Sequence, residues 1–514
     1  MSEKFSKKAI IKIFILLVVL NIILRFQVVP HEIYPDSVFI HIMVNSLNEY
    51  GYARWFLNPL SIFGLYPASE CSSLQFLLSG IKQCTNLETN DIIFLYCIFM
   101  GILSIFTMYL MAGEIFNNIT FKVLTAFLFS TSPAVLGYTT WTIPLRGLFV
   151  VLAPLFVYFM LRTRKSLKYM PLFAVLLFFL FATHHLFYFF IPIIFVFIFL
   201  SFSYKINRMN PIKIPERFNL ISVIFFPLAF SVPFVTGKFM ETSSKYAPIN
   251  ESYVRYIGLP VIFAIGGLAY IIGKQKKLGE WFLLLSLVSI TMFIYIETYM
   301  KWFVSILAVP LAGFGLINVI KLSKSIKRGS LLKFLTISLM LCLSFSAYYQ
   351  FIHFIPKLEE NKINERYIEE STYQAGLWMR AKIDDSSISN DRMFGNRISA
   401  ISERAPVLVP HLTINQIYGF NELDISEFKL HPVTSEAFWF GGYEGPAVGE
   451  VTWDRINLMY LPYWKFSIKY FVENTRADGN VIWHHGMYPS KLLHYAYDEK
   501  DRVYENGKVR IWKL

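Results

Sequence analysis

From residue 10 to residue 354 the chain is a succession of apolar runs of near-bilayer length, and that feature leaves few folds open to it. A hydrocarbon core about 30 Å thick takes roughly 20 apolar residues per helix. Runs near that length occur at 10–29, 91–111, 121–137, 147–161, 170–184, 186–203, 219–236, 254–273, 279–297, 302–320 and 332–354. Backbone polar groups in lipid are satisfied only within helices or closed barrels. The pattern therefore predicts a polytopic α-helical membrane protein of about eleven spans. The first run has no clear small-residue cleavage site and is followed by further spans, so it is not read as a cleaved signal peptide.

Composition closes the soluble alternatives. Only 16% of the 514 residues are charged, against about 25% in a soluble protein. Fifty Phe and thirty Tyr carry more apolar surface than one aqueous core can bury. An ordinary cytosolic enzyme and a disordered chain are both excluded, and four Cys exclude a disulfide scaffold. The formal charge of +13 does not point to nucleic acid, because no basic motif of a known reader is present. Lys and Arg collecting in cytoplasmic loops account for it.

The chain divides by composition. Residues 1–355 are the membrane part, with an external loop at 30–90. Residues 356–514 mix charged, polar and aromatic residues without a spanning run and are expected to form an extracytoplasmic mixed α/β domain. In the latter, Tyr367, Ser371, Gln374, Ala375, Trp378 and Ala381 form one helical stripe. Short strands are expected at Val407–Val409 and Tyr470–Val472. Arg502–Glu505, Asn506-Gly507 and Lys508–Trp512 read as a hairpin with a type I′ turn. No internal repeat is visible.

Positive charge sets the orientation. The clusters Lys4–Lys12, Arg162–Lys168, Lys205–Arg217, Lys274–Lys277 and Lys321–Lys333 all fall on one side if there are eleven spans. That side is cytoplasmic, with the N-terminus inside and residues 356–514 outside. The parity holds only if Ser72–Thr85 is an amphipathic interfacial helix and not a span. Cys71 and Cys84 lie in that loop. A helix between them would hold them about 20 Å apart, whereas a disulfide needs Cα atoms within about 7 Å. Helix and bridge therefore exclude each other, and the helix is the favoured reading.

The external loop carries the chemistry-bearing residues. It reads His31-Glu-Ile-Tyr-Pro-Asp36-Ser-Val-Phe-Ile-His41, then Asn48-Glu-Tyr-Gly51, Asn58-Pro59 and Tyr66-Pro67. An acid just outside the first span, a helix, a Gly turn, Tyr-Pro and a second interfacial helix resemble the GT-C superfamily of membrane glycosyltransferases. That superfamily includes protein O-mannosyltransferases, aminoarabinose transferases and oligosaccharyltransferase catalytic subunits. The resemblance covers most of the chain, and the terminal hairpin Tyr504-Glu-Asn-Gly-Lys-Val-Arg-Ile-Trp is similar to the end of archaeal members.

The resemblance implies a glycosyltransferase in an archaeal plasma membrane. It implies a sugar donor linked to a polyprenyl (dolichyl) phosphate and a glycan, lipid or protein acceptor on the outer face, among membrane lipids. Asp36 matches the first-loop catalytic acid by position and would act as general base; its Pro-Asp-Ser context also suits an N-cap. Arg146, Arg255 and Lys301 stand at outer span ends, where cations would neutralise the donor phosphate or simply snorkel. His184 and His185 interrupt an apolar stretch at a tight external turn and are expected to line a cavity. Glu32 and Tyr34 are counted with them, Glu32 alternatively as a solvated loop residue. His484-His485 reads as a surface feature.

Departures narrow the reading. The first loop lacks the Asp-x-Asp pair of oligosaccharyltransferases, the second external loop Gly137–Arg146 has no acid, and their Trp-Trp-Asp is missing. This argues against asparagine-linked transfer and for a metal-independent, monophosphate-type enzyme. No cofactor is implied, and a divalent metal stays open. The alternatives are a polytopic transporter or polyprenyl-lipid flippase, which would show repeats and broken spans, and a receptor or assembly subunit without chemistry.

Overall fold

The apolar runs become a helical bundle in the computed structural model. It describes residues 7–26, 29–51, 73–206, 246–274, 276–291, 293–295, 299–322, 328–354, 367–384, 387–389, 392–403, 407–408, 469–474 and 501–513. The helices are α1 (Lys7–Leu24), α2 (Pro35–Tyr50), α3 (Ser73–Thr85), α4 (Thr89–Ile115), α5 (Ile119–Ser130), α6 (Pro133–Leu136), α7 (Leu145–Thr163) and α8 (Met170–Phe181). They continue with α9 (Phe190–Ile206), α10 (Tyr246–Ile257), α11 (Pro260–Ile272), α12 (Leu278–Thr291), α13 (Met300–Leu322), α14 (Arg328–Phe354), α15 (Glu370–Lys382) and α16 (Arg392–Ser402).

Among the described residues, five helical segments are long and apolar enough to cross a membrane: 89–115, 145–163, 185–203, 300–321 and 329–348. The expected run 254–273 is not one straight span. It bends by 94° between α10 and α11, where Gly258 takes a φ of +77° and Pro260 starts the next helix. Counting the bent pair as one span makes six. The run 121–137 also breaks, because Ser132-Pro133 ends α5 and opens the short α6. Three shorter apolar helices cover 119–130, 167–181 and 278–291. The expected run 219–236 lies outside the described residues.

Close backbone approach holds the centre together. A Cβ on Gly267 of α11 would lie 1.8 Å from the Leu311 carbonyl oxygen of α13, and one on Gly315 would lie 2.0 Å from that of Phe263. Small residues at such crossings let helices pack where lipid supplies no hydrophobic drive. This contact fixes α13, which carries Lys301 at its start.

The long helices separate two sets of charges. On α7, Arg146 stands at one end and Arg162 at the other; on α13, Lys301 and Lys321 do the same. Arg162 Nε pairs with Glu114 at 2.9 Å, joined there by Lys165. Lys274 pairs with Glu280, and Lys321 Nζ donates to Tyr270 at 2.9 Å. Three of the basic clusters thus contribute residues to one end of the bundle, and Asp36, Arg146 and Lys301 belong to the other.

Helix α3 forms over Ser73–Thr85, and Cys84 is a free thiol on it; Cys71 is outside the described residues. The helix is docked and not merely interfacial. Leu74 and Leu78 are fully buried, and Ser73 Oγ meets Thr183 Oγ1 at 2.8 Å.

The C-terminal residues build a five-stranded sheet of order β2-β1-β3-β5-β4. Its strands are β1 (Ser387–Ser389), β2 (Val407–Leu408), β3 (Tyr470–Asn474), β4 (Arg502–Glu505) and β5 (Val509–Lys513). Strand β1 runs parallel to β2 and β3, and β5 runs antiparallel to β3 and β4. The hairpin exists, but its turn is not type I′. Asn506 N–H bonds Val509 O at 3.2 Å, and of the two residues between, Gly507 has a φ of +86°. Gly at the first central position is the type II′ pattern, and Asn506 instead turns its Oδ1 to the Val509 N–H at 3.0 Å. The stripe expected on α15 is also rotated. Thr372, Ala375, Gly376 and Met379 are buried, while Gln374 and Ala381 are exposed. The helix is covered on two sides: Gly376 lies against Ile401 of α16, and Met379 enters the core with Phe394 and Ile398.

Candidate active site

Asp36 does not cap α2. The N-cap is Tyr34, Pro35 opens the helix, and Asp36 stands in the first turn. There the positive end of the helix favours its carboxylate. The carboxylate faces Arg146, whose Nη2 donates to Asp36 Oδ2. Asp36 keeps 44% of its side chain exposed and Arg146 15%, so the acid remains open to a reactant while the guanidinium is held.

Aromatic rings hold the cations. The Arg146 guanidinium lies 5.0 Å from the Trp302 ring centre, 5.5 Å from Tyr138 and 5.8 Å from Tyr299. Lys301 Nζ lies 4.8 Å from Trp302 and 5.0 Å from Tyr256. Quadrupoles of such rings orient a cation without neutralising it. Among the described residues no carboxylate pairs with Lys301. Arg255, half-buried near the end of α10, adds its charge to that of Arg146 around Lys301. Tyr138 and Tyr256 meet through their hydroxyls at 3.4 Å. Burial, and then Tyr256, push the Tyr138 phenol well above its ordinary value, so it keeps its proton.

His184 and His185 close the same wall. Their rings lie 4.1 Å apart, and His185 sits edge-on to Tyr299 at 5.1 Å. His184 Nδ1 accepts the Leu186 N–H at 3.0 Å and so caps the turn. Among the described residues, the Nε2 atoms of both rings and Nε1 of Trp302 are buried without a hydrogen-bond partner. Unpaired buried polar atoms are rare and costly, and three of them gather around Tyr299 and Trp302.

Glu32 is not a solvated loop residue. It is fully buried, accepts from Ser37 Oγ, and faces His41 Nδ1. Tyr34 is half-buried with a φ of 72°, and Trp141, in the loop between α6 and α7, has a φ of 54°. Such backbone is strained for aromatic residues and persists only where the surroundings impose it. The two strained segments are tied together, with Ile33 N–H donating to Trp141 O at 3.0 Å.

The C-terminal residues dock beside this site. His31 Nε2 meets Glu370 Oε2 at 3.1 Å, and its ring stacks on Tyr373 at 3.9 Å. Lys82 Nζ bonds Thr89 Oγ1 at 2.9 Å, Asn45 Oδ1 at 3.1 Å and Glu403 at 2.8 Å. Arg380 joins Glu88 at 3.2 Å and Glu403 at 2.9 Å. An apolar groove of about 540 Å³ runs between α9 and α12, lined by Ile191, Phe195, Phe199, Leu285, Val288 and Phe293. Among the described residues no three His, Cys, Asp or Glu side chains gather as a metal-ligand set. His484 and His485 lie outside the described residues.

Asp36, Arg146, Arg255, Lys301, His184 and His185 thus come together; Glu32 backs the group from beneath. The residues not foreseen are Tyr138, Tyr256, Tyr299 and Trp302, which form the wall. Three of them carried a signal in the sequence, each standing next to or within two residues of a basic residue at a span end, as in Arg255-Tyr256 and Tyr299-Met-Lys-Trp302; Tyr138, far along the chain from Arg146, carried none.

A helical bundle of this order shares its fold with solved structures of an oligosaccharyltransferase and an arabinofuranosyltransferase. The Archaeoglobus fulgidus oligosaccharyltransferase in complex with zinc and sulfate matches with a TM-score of 0.56 at 12% identity, over 90% of this chain and 68% of that chain. The same enzyme tethered to an acceptor peptide containing the NVT sequon also gives 0.56 at 12% identity, over 91% and 69%. The mycobacterial arabinofuranosyltransferase AftD gives 0.51 at 13% identity, over 100% of this chain but 42% of AftD. At such identities the likeness is one of fold. No protein-family model and no curated protein matches the sequence.

Proposed function

We propose that the chain transfers a sugar from a polyprenyl-phosphate-linked donor to an acceptor hydroxyl at the outer face of an archaeal plasma membrane, with Asp36 as general base. The observation that carries this reading is the meeting of an open carboxylate with an aromatic-walled group of cations, joined through the Asp36–Arg146 pair. The acceptor O–H gives its proton to Asp36 as its oxygen bonds the sugar C1. The C1–O bond to the lipid phosphate breaks, and the polyprenyl phosphate leaves with the electron pair. Arg146, Arg255 and Lys301 offset the charge that develops on it. Arg146 is shared: a phosphate that takes its guanidinium loosens the bond to Asp36 and frees the carboxylate to accept the proton.

The groove between α9 and α12 suits an isoprenoid tail, being apolar and open toward lipid. The eleven-span topology, the cytoplasmic N-terminus and the division into 1–355 and 356–514 belong to the same reading. Support comes from the fold of the two named transferases; one was captured with a peptide acceptor. The test is transfer of radiolabel by the purified protein from polyprenyl-phosphate mannose, glucose or galactose to an archaeal envelope extract. Label in the extract that depends on the protein supports the reading. Donor moved across proteoliposomes, with its sugar intact and no transfer, supports the flippase instead.

A further inference from the structure

We infer that Glu32 is a positioning residue that sets Asp36 against Arg146 through Ser37 and the backbone of Ile143. The inference rests on the reading of Asp36 as the base. Glu32 and Ser37 are fully buried and His41 nearly so. Glu32 Oε2 accepts from the Ser37 hydroxyl, and Oε1 faces His41 Nδ1. A hydroxyl has one proton. With that proton committed to Glu32, a Ser37 lone pair is left for the Ile143 N–H, which donates at 3.2 Å.

The chain positions give this tie its meaning. Ser37 directly follows Asp36, and Ile143 lies three residues before Arg146. Glu32 therefore links the segments that carry the two partners. The second tie, Ile33 N–H to Trp141 O, is separated from Asp36 by the strained residue Tyr34 and does not hold Asp36 itself. A buried carboxyl is expensive where packing alone is needed; its use here is directional. The three residue types are those of a hydrolytic triad, but the bonding is not. The hydroxyl is bonded to the carboxylate and not to the imidazole, and it has no exposed surface, so Ser37 is no nucleophile.

The test uses the full-length protein and the labelled polyprenyl-phosphate hexose transfer assay above, with farnesyl phosphate as a binding probe. Ser37→Ala cuts the tie at its middle with little change in volume, and Glu32→Ala removes its root. A displacement of about 1 Å at a reacting pair costs on the order of a hundredfold. Both variants should lower kcat by roughly ten- to a hundredfold, with the affinity for farnesyl phosphate changed by less than about threefold, because Lys301, Arg255 and the rings of Tyr256, Tyr299 and Trp302 do not rest on the tie. Glu32→Gln, which still accepts from Ser37, should recover most of the loss. In an Asp36→Asn background neither Ala variant should lower transfer further, since residues acting as a unit are not additive. Folded Ala variants with full kcat, or losses that multiply with Asp36→Asn, would overturn the assignment. Full turnover in Asp36→Asn alone would instead remove the base on which it rests.

Discussion

Lys301→Met separates the chemical role of the cation from its packing. Lys301 Nζ stands over Trp302 at 4.8 Å and Tyr256 at 5.0 Å, with no carboxylate partner among the described residues. Each cation–ring contact is worth about 0.5–2 kcal/mol, depending on desolvation. Met fills similar space, and its thioether regains about 0.3–1.5 kcal/mol against the rings. With like ends of the two ranges paired, each contact loses about 0.2–0.5 kcal/mol, so the two together should cost no more than about 1 kcal/mol. A charge-assisted contact to phosphate is worth about 1.5–3 kcal/mol, so kcat/KM for the lipid donor should fall by roughly ten- to a hundredfold. Lys301→Arg should keep much of the activity, because a charge at headgroup depth is what the site requires. Lys276→Met is the matched control: Lys276 Nζ lies 4.7 Å from the Trp281 ring at the opposite end of the bundle. Thermal unfolding and kcat/KM measured on all three variants decide the matter. If Lys301→Met and Lys276→Met behave alike, Lys301 is an interface anchor and the phosphate is held elsewhere, with Arg146 the next residue to test.

Gly267→Ala should destabilise by about 1–3 kcal/mol or more, as overpacking does, because its Cβ would meet the Leu311 carbonyl oxygen at 1.8 Å. Gly266→Ala, with nothing within 4 Å, should be silent in the same melting experiment. The docking of residues 367–403 onto α4 should weaken in acid. Hydrogen bonding from Arg380 holds the Glu88 carboxyl below its ordinary 4.5, so its contribution is complete above that value and is lost as pH falls through the depressed one. Hydrogen exchange in α15 should rise over that window in the wild type and show a smaller rise in Glu88→Gln.

What the sequence made legible follows from what each signal depends on. Span length reflects burial in lipid, so five of the apolar runs reappear, among the described residues, as helices long enough to cross a membrane. The bend at Gly258 and the break at Pro133 escaped because run length does not register a change of direction within an apolar stretch. Asp36, Arg146 and Lys301 could be named one by one from their places at span ends. Their meeting could not, since it depends on how α2, α7 and α13 pack. Glu32 was misjudged for a related reason. A charged residue in an external loop is ordinarily solvated, and only the tertiary contact with Ser37 and the loop at 139–146 removes it from water. The hairpin turn shows the limit of a dipeptide signal: Asn-Gly marks a hairpin, but the strand register decides which two residues stand at its tip.

The most direct test of the account is the turnover of Asp36→Asn. Asn matches the size of Asp, can still accept a hydrogen bond from Arg146 through Oδ1, and gives up only the first-turn charge, worth about 0.3–1 kcal/mol. It cannot take the acceptor's proton at neutral pH. The variant should stay folded and membrane-inserted, bind farnesyl phosphate at least as tightly as the wild type, and lose sugar transfer by about 10²–10⁴-fold, the range for a missing general base. Turnover at the wild-type rate in a folded Asp36→Asn protein would contradict the account and leave Asp36 as a structural partner of Arg146.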